Sequence, residues 1–181
     1  NSVRVTGDFI EFVPVRDAGR YRAMQTPTAT GDILDFSLAA DNSFDVLGPT
    51  VAVAAGEELA VYNLGIAGAD VYAGDVRRAI PAGGVGAART NVVFTPTASA
   101  LPLASPMNRF YIVGQPVTYR CDLGAGVLRR HWNYGFTAVQ PTPPAGNTAT
   151  LVNGVTACAI SYAPGVQQRN GIVSIRLTLA G

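Results

Sequence analysis

PVTYRCDLGAGVLRRHWNYGF, residues 116–136, is the stretch that decides the fold. Two runs rich in β-branched and aromatic residues flank Asp122-Leu123-Gly124-Ala125-Gly126, whose Asp and Gly residues favour a turn over any regular element. The reading is a strand over 116–121, a turn, and a strand over 127–134 running back antiparallel. On a pleated strand successive side chains alternate in direction. Val117, Tyr119 and Cys121 therefore share one face, and Arg129, His131 and Asn133 lie opposite Arg130, Trp132 and Tyr134.

The same pattern extends outward in both directions. Residues 110–113 read as a strand. So does 171–179, where Val173, Ile175, Leu177 and Leu179 alternate with Ile172, Ser174, Arg176 and Thr178, as a half-buried antiparallel strand requires. Toward the N-terminus, residues 9–15 (FIEFVPV) and 20–24 suggest a hairpin across Asp17-Ala18-Gly19, with Pro14 marking a strand end. Shorter strands are expected over 33–36, 44–47 and 58–63. Helical signal is confined to 70–80 (DVYAGDVRRAI), which Gly74 weakens. Residues 81–90 and the proline-rich 140–147 (QPTPPAGN) read as loops. No internal repeat or interdomain linker appears. The expectation is a mainly β fold of antiparallel sheets with little helix, in a single domain over residues 1–181.

Composition narrows the function classes. The 181 residues are 48% hydrophobic and only 14% charged, against roughly 25% charged for a typical soluble domain. Such a chain folds, and leaves apolar surface for partners. Net charge is +1, with 13 basic and 12 acidic residues dispersed along the chain. That lacks the electrostatic footprint of a nucleic-acid binder. All the basic residues are arginine. No apolar run approaches the roughly 20 residues of a membrane-spanning helix. Cys121 and Cys158 are the only thiols. With His131 they are too few for a structural zinc site, which leaves a disulfide in an exported protein or two buried thiols in a cytosolic one.

The search for chemistry finds no catalytic set. His131 is the only histidine, and no Gly-x-Ser-x-Gly elbow accompanies it. It reads as a partly exposed strand residue. The carboxylate pairs Asp32/Asp35, Asp41/Asp45 and Glu57/Glu58 match no metal loop, and no metal or cofactor is expected. GGVGAAR (residues 83–89) falls short of a phosphate-binding glycine loop, because Arg89 occupies the third glycine position. Trp132 and Tyr134 could stack on a sugar, although aromatic residues at strand spacing more commonly build a core.

Several segments together, DFIEFVPVRDAGRYRA (8–23), LDF (34–36), SFDVLG (43–48), LAVYNLGIAGADVYAGDVR (59–77), residues 116–136 and VTACAISY (155–162), give the chain a resemblance to a known family. It resembles the minor pilins of mannose-sensitive haemagglutinin (MSHA) type IV pili, relatives of the J-type minor pseudopilins and PilW-like pilins. The resemblance implies a processed leader and an N-terminal apolar helix that anchors the subunit in the inner membrane and later packs in the filament, making an α+β whole. It implies a Gram-negative periplasmic and then pilus-surface location, and partners among the minor and major pilins. Cys121 and Cys158 would then pair, since each shares a face with core-forming neighbours. No catalytic residue is implied.

Two functional expectations follow. The first is a non-enzymatic minor pilin acting in pilus assembly, with contacts through the loops that contain Gly83 and Arg89, and Pro143 and Pro144. The alternative is a pilus-tip adhesin or carbohydrate-binding module using Trp132 and Tyr134.

Overall fold

The computed structural model describes residues 2–165 and 171–181. The chain forms two compact units: unit 1 comprises Asn1–Val13 and Gln115–Gly181, and unit 2 is the continuous Pro14–Gly114 between them. Among the described residues the strands in chain order are β1 (Val3–Thr6), β2 (Phe9–Phe12), β3 (Val15–Tyr21), β4 (Ser43–Leu47) and β5 (Val51–Val53). They continue with β6 (Glu58–Ala60), β7 (Arg77–Ala79), β8 (Gly86–Arg89), β9 (Asn91–Val93) and β10 (Arg109–Val113). The last five are β11 (Val117–Asp122), β12 (Val127–Trp132), β13 (Asn147–Asn153), β14 (Val155–Ala163) and β15 (Ile172–Leu179). The described residues also include one 3-10 turn, Ala82–Gly84. The fold is mainly β and its sheets are antiparallel, as the sequence indicates.

Unit 1 is built on a sheet of order β1-β2-β11-β12-β13, with the hairpin β14-β15 as a separate two-stranded sheet. The hairpin of β11 and β12 forms as expected, with Cys121 opposite Leu128. Cys121, Leu128 and Val155 are buried with Tyr119, Val152, Cys158, Ile160 and Leu177 packed around them. The disulfide Cys121–Cys158 lies within this cluster and closes a 37-residue separation.

Unit 2 contains a sheet of order β7-β6-β10-β3-β4-β9 and the pair β5-β8. Its core gathers aromatic rings around the fully buried Phe44, with Phe110 at 4.9 Å and Tyr21 at 6.1 Å between centroids. The Tyr21 hydroxyl accepts from the Ser105 amide at 2.9 Å, so this buried polar atom is satisfied.

Several local expectations are corrected. Asp17-Ala18-Gly19 is not a turn but the middle of β3, where Gly19 faces Phe110. A Cβ on Gly19 would lie 2.7 Å from the Phe110 ring, so the glycine serves close ring-to-backbone packing. β2 pairs instead with β1 and β11. Residues 33–36 form no strand; Leu34 is held by one backbone bond to Arg22 and buries its side chain. The strand expected over 58–63 stops at Ala60, before Tyr62 takes φ 51°.

Residues 70–80 form no helix. Gly74 at φ 94° leaves helical space, the amides of Gly74 and Asp75 both return to the Asp70 carbonyl, and the chain enters β7. The loop expected over 81–90 contains the 3-10 turn and β8, which pairs with β5. Residues 140–146 are irregular, as expected.

Candidate interaction surface

The apolar face of the unit 1 sheet is only partly covered by β14 and β15. An open groove of about 350 Å³ remains, lined by Ser2, Val3, Ile10, Phe12, Val13, Tyr119, Val173 and Ile175. Strand alternation explains the lining. Val3 of β1 stands opposite Phe12 of β2, and Phe12 opposite Val117 of β11. Ile10 pairs with Tyr119 on the same face. Val173 on the hairpin keeps 42% of its surface, and Leu179 on the same face of β15 keeps 53%. Water-exposed apolar side chains in this concentration favour association over solvation.

The opposite face of the same sheet is polar. The register aligns Arg4, Glu11, Thr118, His131 and Thr148 in one row across all five strands. The segment 133–140 covers this row. Glu11 is fully buried, and its carboxylate receives Arg4 Nε at 2.5 Å and the Tyr134 hydroxyl at 3.0 Å. Arg4 also donates to the carbonyls of Ala138 and Thr137, and the Thr6 hydroxyl meets Gln140 Oε1. A buried carboxylate is tolerated only with this kind of pairing.

His131 is 7% exposed, so the partly exposed reading is corrected: the sheet row and the covering segment bury it. Its Nε2 is buried and, among the described residues, has no hydrogen-bond partner. Burial, reinforced by Arg120 and Arg129, lowers its pKa and keeps the imidazole neutral.

The two aromatic candidates part company. Asn133 adopts φ 57° and ends β12 at Trp132, which breaks the alternation that would have put Trp132 and Tyr134 on one face. Tyr134 turns instead to the polar row, its hydroxyl 2.7 Å from Thr118 Oγ1 and also bonded to Glu11. Burial raises its pKa. Trp132 is half-buried and stacks with the Arg130 guanidinium at 4.9 Å.

The remaining candidates are dispersed. Pro143 is exposed at a cis bond after Thr142, whereas Pro144 is buried. Gly83 and Arg89 belong to unit 2, where Gly83 is exposed in the 3-10 turn and Arg89 ends β8. The carboxylate pairs organise backbone turns. Asp45 accepts from the Asp32 amide and from Arg22, and Asp41 accepts from the Asp35 amide. The Asp32 amide leads the interactions that lower the Asp45 pKa, while burial raises that of Asp41. Among the described residues no group of three or more His, Cys, Asp or Glu side chains is placed to hold a metal.

The sequence reading missed the groove and the polar row. One signal was available: Glu11 interrupts the otherwise apolar FIEF, and a carboxylate on a sheet-interior strand demands a partner.

The fold and this surface define an antiparallel β protein with a disulfide-bonded core layer and an open apolar groove. Compared with models of protein families, with curated proteins and with solved structures, the chain matches none of them.

Proposed function

We propose that this chain is the head region of a minor-pilin-like subunit, a non-enzymatic component of type IV pilus assembly that works in contact with other pilins. The observation that carries this reading is the apolar groove bordered by Val3, Phe12 and Val173, an open hydrophobic surface on a chain poor in charge. Interfaces of assembly subunits have an apolar, charge-depleted centre of this kind. The Cys121–Cys158 disulfide fits the oxidising periplasm in which such a subunit would fold. The resemblance of residues 8–23, 59–77, 116–136 and 155–162 to the MSHA-type minor pilins supports this class. An apolar N-terminal helix of the kind those proteins carry would hold the subunit in the inner membrane before assembly.

The test is genetic. In the bacterium that makes the protein, deletion of its gene should remove or sharply reduce surface pili, and the wild-type gene should restore them. Val3→Arg, which places a charge at the groove rim on an edge strand, should accumulate normally and fail to restore piliation. Normal piliation in the deletion strain would overturn the reading.

A further inference from the structure

Among the described residues, no strand covers the outer edge of β15. It pairs with β14 and, among the described residues, with no other strand, while β14 also approaches β1. Exposed edges are normally blunted by charge, proline or brevity, because their unpaired amides and carbonyls recruit other strands. β15 is eight residues long, contains no proline, and has Arg176 as its sole charge.

We propose that two copies of this chain pair antiparallel through the outer edges of β15, about a two-fold axis at Ile175. The sequence of β15 selects this register. Side chains directly opposite each other in an antiparallel pair lie on the same face. A two-fold axis on a residue therefore keeps the two apolar faces together. Centred on Ile175, the pairing sets Ile175 against its mate, Val173 against Leu177, Ser174 against Arg176 and Ile172 against Thr178. The face formed by Val173, Ile175 and Leu177 then runs unbroken across four strands, and Val173 and Ile175 already border the groove.

Neighbouring registers are worse. Centring on Arg176 opposes two like charges, and centring on Ser174 shortens the overlap. A centre between residues turns the apolar face of one copy toward the polar face of the other. The strand is complementary to itself, which makes a second copy the fitting partner. This inference is independent of the pilus reading.

Ser174 is exposed and faces Ser161 within its own hairpin, so a charge there leaves the fold of the monomer intact. Across the axis it faces Arg176 twice by symmetry. Sedimentation of the chain over a concentration series should show a monomer–dimer equilibrium. Ser174→Arg should weaken it on the order of tenfold, from two opposed like-charge pairs, and Ser174→Glu should strengthen it. The double variant Ser174→Arg/Arg176→Glu should recover the wild-type affinity or exceed it. Circular dichroism of each variant should match the parent. A chain that stays monomeric at every concentration overturns the proposal, as does a dimer whose affinity moves in the same direction, or not at all, with the two Ser174 charges.

Discussion

Removing Arg4 should cost more than removing Glu11, although the two form one ion pair. Glu11 is wholly buried, whereas Arg4 keeps 21% of its side chain in solvent. Breaking a buried pair by deleting one partner typically costs about 3–5 kcal/mol, because the survivor is left charged and unpaired. In Glu11→Leu the surviving Arg4 retains water and two backbone acceptors, the carbonyls of Ala138 and Thr137, which argues for the lower end, about 3 kcal/mol. In Arg4→Met the surviving carboxylate keeps the Tyr134 hydroxyl, a neutral donor, and its side chain has no exposure to solvent, which argues for about 5 kcal/mol. The double variant Arg4→Met/Glu11→Leu should return to within about 1–2 kcal/mol of the parent, because no unpaired charge remains. Urea unfolding followed by Trp132 fluorescence reads unit 1 directly, since Trp132 is the sole tryptophan and lies on β12. Single variants that each cost under about 1 kcal/mol, or a double variant as unstable as the sum of the singles, would refute the reasoning.

Three further outcomes are expected. Reducing Cys121–Cys158 should destabilise unit 1 by about 4 kcal/mol, the loop-closure term for a 37-residue separation, seen as a lower urea midpoint in Trp132 fluorescence. Gly19→Ala should cost about 1–3 kcal/mol of unit 2 stability by thermal denaturation, since its Cβ would press on the buried Phe110 ring; relief by Phe110→Leu in the double variant would identify the clash. His131 has a depressed folded pKa, so the unfolded chain binds the extra proton first as pH falls. Stability should therefore decline below about pH 6.5 and the loss should level off below the folded pKa, in urea titrations from pH 8 to 4.5. His131→Gln should remove that part of the slope, and equal slopes for the two proteins would count against the buried neutral imidazole.

What the sequence disclosed tracks how local the signal was. The hairpin of β11 and β12 and the alternation of β15 are set by β-branched residues and a short Gly-containing turn, and both form close to where the pattern places them, although β12 stops at Trp132 and Asp122 joins β11. Asp17-Ala18-Gly19 misled because the need for Gly19 comes from Phe110, 91 residues later in the chain and visible only once the strands pair. The helix expected from residue 70 failed for a converse reason. Asp70 can cap a helix or close a turn, and Gly74 at positive φ chose the turn. The groove was illegible because it depends on which face of β1, β2 and β11 the β14-β15 hairpin leaves open. Tyr134 was assigned to the wrong face because a single left-handed residue, Asn133, reverses the alternation after β12.

The proposed function rests on the apolar groove acting as a contact site for other pilins. The most direct measurement is a calorimetric titration of the wild-type chain and Val3→Arg against each minor-pilin head domain of the same pilus system. Saturable binding to at least one of them is expected, with a negative heat-capacity change from apolar burial and loss of that binding in Val3→Arg. Absence of binding to every head, or binding that Val3→Arg leaves unchanged, would contradict it.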